Sequence, residues 1–365
     1  MKTIKFTDLI TPHQIIKEEL FNQIYTIYDN ANFSSIVYTE RLENKFAEYI
    51  GTKYAISVSN GTSAIHIALL TLGISEGDEV IVPTNTYIGS IWGILYLKAV
   101  PVFVDCFANT YNLDTSKIEA KISKKTKAII GVHLYGQVCK IKEIKEICKK
   151  YKIKFIEDVS QAHGALYLNK KAGSFGDINC FSLYPSKNLG ACGEGGIITT
   201  NNKNYYNLLL AYRNQGQFKK YKHDLLGFNY RMASIEAVSI EIKLKYLDQW
   251  NQQRINIAQR YLLEIKNKKI KLPYINNKHR HVFHLFVIQT KNRAELQNYL
   301  ENNGIQTQIH YPIPCHLQKA LTEFGYKVGN FPISEALAKS CLSLPMHPFM
   351  SNDEINYVIN TINNF

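Results

Sequence analysis

FSLYPSKNLGACGEGG occupies residues 181–196. It sets one lysine, Lys187, just after a Tyr-Pro-Ser turn and just before glycines at 190, 193, 195 and 196. A lysine meant for water needs no such surroundings, because glycine is used where backbone must approach closely. A lysine that forms a Schiff base does need them. It must be held, partly desolvated and brought below its free pKa of about 10.4.

Around this stretch the chain alternates short apolar runs with helical periodicity. IVYTERLENKFAEYI (36–50) has the spacing of an amphipathic helix. YAISVSNGTSAIHIALLTLGI reads as a strand, a turn at SNGTS and a helix from about Ser63. GDEVIVP, AVPVFVD, KAIIGVHLYG, KIKFIED and GGIITT read as strands, with KEIKEICKK helical between two of them. Such alternation predicts an α/β domain with a mostly parallel sheet, whose ligands collect at the carboxyl ends of the strands. From Ala233 the pattern changes to one long helical span, SIEAVSIEIKLKYLDQWNQQRINIAQRYLLEI, expected to connect two domains. HVFHLFVIQT then reads as a strand, and NRAELQNYLENNG as a helix closed by glycine. The expected division is a large domain over 1–240, then the connecting helix and a smaller α+β domain over 241–365.

Three more stretches carry chemistry. SNGTSA (59–64) lies where a strand hands over to a helix, so it suits either an anion site or a plain N-cap built from Asn60, Thr62 or Ser63. IEDVSQAHG (156–164) ends a strand on Glu157-Asp158; Asp158 is placed to bind a ligand or to cap the next helix, with Gln161 and His163 in the turn. LGFNYRM (226–232) sets Asn229 and Arg231 on alternate positions. HRHVFH (279–284) lacks a carboxylate or cysteine at ligand spacing, so no metal is expected there.

Composition excludes other classes. The chain has 365 residues, 45% hydrophobic and 20% charged, as in a soluble globular protein. No apolar run approaches the roughly 20 residues that span a bilayer, and MKTIKFTDLITPHQ lacks an export h-region. Seven cysteines stand without a C-x-x-C pair, which fits a reducing cytoplasm. The formal charge of +13 raises nucleic-acid binding, but the lysines are spread over amphipathic stretches such as KIKEIKEICKKYKIK. Solvated lysine-rich faces are the better reading, and a local basic patch for an anionic small molecule stays open.

SNGTSA, EDVSQAHGA, the serine-to-lysine spacing of FSLYPSKNLG, and GFNYRM occur here in one order. In these pieces the chain resembles the DegT/DnrJ/EryC1/StrS sugar aminotransferases over about residues 30–350. The resemblance implies the type I aminotransferase fold and pyridoxal 5′-phosphate as cofactor. It implies that Lys187 forms the Schiff base and moves the proton, and that Asp158 pairs with the pyridine nitrogen. Gln161 would bond the ring hydroxyl oxygen, Tyr87 would stack on the ring, and Thr62, Ser63 and Ser182 would hold the phosphate. Asn229 would reach the phosphate of a neighbouring subunit, giving a homodimer with shared sites.

GIQTQIHYPIPCHLQ (304–318) resembles the segment of members that aminate the 3-keto position of dTDP-linked 6-deoxyhexoses, for glycan or lipopolysaccharide building. It implies His310, Tyr311 and His316 near the sugar nucleotide, with Tyr184 and Lys220 as further substrate contacts. A proline-rigidified loop packed on the large domain is the other reading of 304–318. Lys219, Lys220 and Lys222 could face a pyrophosphate or water alone. The implied reaction moves an amino group from glutamate to a nucleotide-linked ketosugar. A 4-keto aminotransferase on a UDP or GDP sugar is an alternative, as is a dehydratase of the same fold, although such dehydratases carry histidine where Lys187 stands.

Overall fold

The computed structural model describes residues 3–276 and 278–365. Seven strands form the central sheet: β1 (Tyr54–Val58), β2 (Glu79–Pro83), β3 (Val100–Val104), β4 (Thr126–Val132), β5 (Lys154–Asp158), β6 (Ile178–Ser182) and β7 (Gly196–Thr200). Their order is β1-β7-β6-β5-β4-β2-β3. Only β7 runs against the others, pairing antiparallel with β1 and β6. GGIITT is therefore a strand, but a reversed one. β6 passed unnoticed in the sequence because Asn179, Cys180 and Ser182 interrupt its apolar pattern.

Strand residues divide alternately between two cores, as a period of two requires. Ile129 and Phe181 join one cluster with α1 (Ile10–Asp29), α2 (Ile36–Ile50) and others. Ile130 and Cys180 join a second, beneath α3 (Gly61–Thr71) and α4 (Gly89–Leu95). α2 begins on a Ser35 cap and stops at Gly51, whose φ of +82° only glycine adopts easily. α5 (Ile141–Tyr151) and α6 (Lys203–Arg213) complete the crossovers.

The expected long connecting helix is two helices, α7 (Ser234–Leu244) and α8 (Leu247–Glu264). Lys245 and Tyr246 break it while keeping near-helical dihedrals, so neither glycine nor proline marks the joint. The expected 240/241 division falls inside α7, whose Ala237, Val238 and Ile240 belong to the first core cluster. Ile257, Ala258 and Tyr261 of α8 instead join a third cluster. That cluster packs β8 (Phe286–Gln289) and β9 (Cys341–Leu344), an antiparallel pair, with α9 (Arg293–Asn302) and α11 (Asn352–Asn363). α10 (Pro332–Ser340) precedes β9. Near the amino end, Ile4 bridges Ile305 in parallel and joins this same cluster.

Candidate active site

The carboxyl ends of β1, β2, β4, β5 and β6 meet along one edge of the sheet. Asp158 closes β5, is 4% exposed, and lies opposite Cys180 of β6. Its Oδ2 accepts from Ser90 Oγ at 2.7 Å, and Ser90 is itself 2.9 Å from Thr86 Oγ1. Its Oδ1 accepts the Ser160 amide at 3.1 Å. The adjacent Glu157 is fully buried and accepts from His133 and from the amides of Gly173, Phe175 and Gly176. Two neighbouring carboxylates thus differ: Glu157 is used up by His133 and the 173–176 loop, whereas Asp158 keeps acceptor capacity at the strand end.

Lys187 follows β6 in a turn closed by its own amide on the Tyr184 carbonyl at 2.9 Å. Its ammonium has no hydrogen bond or ion pair among the described residues. Burial pulls its pKa down to about 8, against the opposing pull of Asp158. The imidazoles nearby are neutral for the same reason. Burial, with Lys187 adding to it, takes His163 to about 3 and His310 to about 4. The glycines after Lys187 are needed for space: a Cβ at Gly190 would lie 2.3 Å from the Pro185 carbonyl oxygen.

The start of α3 faces the same edge. Asn60 is the N-cap, accepting the Ser63 amide at 2.8 Å and the Ser63 hydroxyl at 2.9 Å. The helix therefore begins at Gly61, two residues before the expected Ser63. The Gly61 and Thr62 amides have no partner within the described residues, as the first turn of a helix dictates. A Cβ on Gly61 would come within 2.6 Å of Ser182 Cβ, and one on Gly196 within 2.4 Å of the Asn60 carbonyl oxygen. Two bare backbones thus bring α3, Ser182 and β7 together. Thr62 Oγ1 and the Tyr87 ring both lie against Gly89, and Tyr87 is 59% exposed.

Gln161 has a determined orientation. Its Oε1 accepts the Tyr135 amide at 2.7 Å, so the NH₂ faces the cleft and donates to Tyr311 Oη at 2.9 Å. Burial pushes the Tyr311 phenol above its usual range, so it stays protonated. Tyr135 donates its hydroxyl to the His310 carbonyl, and His310 Nδ1 contacts Ser343 Oγ at 2.9 Å. Cys315 ties the segment to the large sheet, its amide donating to the Thr84 carbonyl at 3.0 Å. The structure thus sets Tyr311 against Gln161 and His310 against Tyr135, and packs the segment on the large sheet. Tyr184 is 50% exposed beside Ser182.

His316 is withdrawn from the cleft. It is 1% exposed, packed on Phe331 and 3.1 Å from Glu335 Oε1. Lys220 lies in an exposed hairpin, Gln217–Lys219 with Lys222–His223, and its ammonium stands over the Tyr221 ring. Asn229 is exposed and accepts from Arg231 Nε at 3.1 Å. Ser90, Tyr135, Asn188 and His284 are site residues that the sequence reading missed. Ser90 lies three residues past Tyr87, near enough for that stretch, PTNTYIGS (83–90), to have suggested it. Among the described residues no cluster of histidine, cysteine and carboxylates could hold a metal, and no helix is long and apolar enough to cross a membrane.

Residues 14–363 match the DegT/DnrJ/EryC1/StrS aminotransferase family profile. The chain is 45% identical over 362 residues to a dTDP-3-amino-3,6-dideoxy-alpha-D-galactopyranose transaminase from Aneurinibacillus thermoaerophilus, covering 99% of each. Its structure superposes at a TM-score of 0.97 and 34% identity on S. venezuelae DesV in complex with a ketimine intermediate, covering 100% of this chain and 98% of that one. It is also similar to ntda from Bacillus subtilis with bound cofactor PMP, at a TM-score of 0.94 and 31% identity, covering 100% of this chain and 85% of that one.

Proposed function

Because the chain belongs to the DegT/DnrJ/EryC1/StrS aminotransferase family, we propose that it transfers an amino group from glutamate to C3 of a dTDP-linked 3-keto-6-deoxyhexose. The cofactor is pyridoxal 5′-phosphate. The residues present suit each part of it. The unpaired amides of Gly61 and Thr62, with the Thr62, Ser63 and Ser182 hydroxyls, suit the phosphate. Asp158 suits the ring nitrogen, the free Gln161 N–H the ring oxygen, and exposed Tyr87 the ring face. Bound, the group supplies an electron sink for the carbanion formed when a C–H bond next to nitrogen breaks.

The chain's own residues then have separate tasks. Lys187 holds the cofactor covalently between turnovers and, once released, takes and returns the proton at its Nζ. A pKa of about 8 leaves it a fraction of free amine near neutrality, which a proton carrier requires. Asp158, held by Ser90 and Ser160, keeps the ring nitrogen protonated. Tyr311 and His310 would meet the sugar. Tyr184 lies at the mouth, and Lys220, on its exposed hairpin, would meet the pyrophosphate. Asn229 would reach the partner's phosphate in a homodimer. The buried side chain of His316 would act only by shaping its loop.

The sugar assignment rests on one observation, the near full-length likeness to the 3-amino-galactose transaminase. The test supplies glutamate with dTDP-3-keto-6-deoxyhexose, or with UDP- or GDP-linked 4-keto sugars, and identifies products by NMR. A 3-amino product from the dTDP sugar is expected; turnover of the 4-keto sugars alone would overturn the assignment. For the shared site, inactive Lys187→Ala and impaired Asn229→Ala chains are mixed under subunit exchange. Activity should reappear, because some heterodimers hold one intact site. No recovery despite proven exchange would refute the sharing.

A further inference from the structure

HRHVFH plays no part in the cofactor cradle, yet it ends on a side chain that touches the residue after Lys187. His284 is 7% exposed, and its Nδ1 lies 3.2 Å from Asn188 Oδ1. The orientation of Asn188 is settled by its other contacts. Its Nδ2 donates to Asn251 Oδ1 at 2.7 Å and to the Val282 carbonyl at 3.1 Å, so the oxygen must face His284. Asn251 in turn donates from Nδ2 to the His163 carbonyl at 2.8 Å. An amide oxygen only accepts, so the His284 hydrogen sits on Nδ1. Burial keeps the ring neutral, with Lys187, Arg254, His310 and His163 as the groups facing it. A neutral imidazole in that tautomer has a bare lone pair on Nε2. No hydrogen bond among the described residues reaches that atom.

Lys187 presents the complementary need: an ammonium with three hydrogens and no acceptor among the described residues. The other imidazoles nearby are less well prepared. Both nitrogens of His163 are buried, and among the described residues neither has a side-chain partner that would set its tautomer. His310 Nδ1 faces a serine hydroxyl, which can donate or accept, so its tautomer is open as well. Arg254 uses its own hydrogens on the Phe283 and Met346 carbonyls.

We propose that His284 is a positioning residue for Lys187: its Nε2 lone pair receives a hydrogen of the Lys187 side chain whenever that side chain is released from the cofactor, and Asn188 sets the tautomer that allows this. No proton changes owner. The bond parks the amine within reach of the cofactor between the two halves of the reaction. Because an acceptor favours the charged form, it also limits how far burial lowers the Lys187 pKa. The inference rests on Lys187 being the cofactor-bonding lysine.

The test uses the holoenzyme in its pyridoxamine form, where Lys187 is free. Its rate of acetylation by a small amine-reactive reagent is followed against pH, by mass spectrometry of the Lys187 peptide. Thermal melting is recorded alongside. His284→Leu should move the reactivity midpoint down by about one pH unit, so that Lys187 reacts up to about tenfold faster below the wild-type midpoint. His284→Gln, which keeps an oxygen acceptor, should fall closer to wild type. Asn188→Ala should shift the midpoint in the same direction, because the ring can then take the other tautomer. An unchanged midpoint in a folded His284→Leu protein, or equal shifts for Leu and Gln, overturns the proposal. If His284→Leu does not fold, an unshifted Asn188→Ala does so instead. Borohydride trapping on the wild-type protein separates the premise: a label on another lysine refutes the cofactor assignment whatever the midpoints show.

Discussion

Two of the cations withdrawn from water in this chain are treated in opposite ways. Arg213, 7% exposed on α6, donates to the Glu43 carboxylate and to the Ser57 carbonyl at 3.0 Å. Glu43 also accepts the Ser57 amide at 2.8 Å and its hydroxyl at 2.6 Å. The Arg213 charge thus meets a carboxylate of the chain itself. Lys187 sits beside neutral imidazoles, bare amides and one carboxylate already held by Ser90, with no bond to its ammonium among the described residues. A buried charge normally finds a partner or moves its pKa, and Lys187 does the second. Folding needs explain the first arrangement. The second makes sense only if another molecule completes it.

The sharpest way to break the contrast is to remove each cation's reason for being there. Lys187→Ala should lower transaminase turnover by at least about 10⁴-fold, the upper end of what proton transfer alone supplies. The folded protein should melt no lower than wild type. A melting temperature well below wild type would make Lys187 a structural cation like Arg213. Glu43→Ala should do the reverse, destabilising by about 3–5 kcal/mol because it strands the Arg213 charge. Urea unfolding measures this; the cofactor absorbance of the folded fraction should not move.

The pH dependence of stability sharpens the difference further. Lys187 has a folded pKa of about 8, below the ordinary value of about 10.4. Between those values the unfolded chain binds more protons, so stability attributable to this group rises with pH. In cofactor-free protein, Lys187→Ala should be the more stable form at pH 7, by on the order of 3 kcal/mol. That gap should close as pH climbs from 8 to above 10. A constant gap across that window would contradict the lowered pKa.

Asp158→Asn should retain cofactor yet lose about 10²-fold in turnover, as when one electrostatic stabiliser is deleted. Near wild-type turnover would reduce Asp158 to a cap for Ser160. Ser90→Ala should cost the least, about 1 kcal/mol of one hydrogen bond, seen as a fall in kcat of up to about tenfold with KM unchanged. A rise in KM alone would mean that Ser90 serves the substrate side instead.

The parts of this contrast differed in how well the chain disclosed them. Six of the seven sheet strands were legible as apolar runs ending at turn residues, with Asp158 at the end of one; Ser182 and Lys187 follow the strand that was not, and were legible only through their spacing and the glycines after them. α1 was not recognised, because Phe21, Tyr25 and Tyr28 lie exposed on it and blur the buried line of Ile16, Leu20 and Ile27. The break between α7 and α8 has no composition signal at all. Near Lys187, Asn188, Asn251 and His284 come from separate elements, so no local pattern could pair them. His316 misled for a related reason: a loop motif says which residues are close in the chain, but not which of them turn inward to Glu335.

The bridge between Ile4 and Ile305 has a practical consequence. The Ile4 amide donates to Gly304, the Gln306 amide returns to Ile4, and the Phe6 ring stacks at 5.8 Å on His310. Ile4 and Phe6 therefore brace the segment that carries His310. A purification handle fused ahead of Ile4 would load the His310 segment while leaving the bound cofactor spectroscopically normal. The better place for one is after Phe365, whose neighbours are Tyr299 on α9 and Lys269 in the turn after α8.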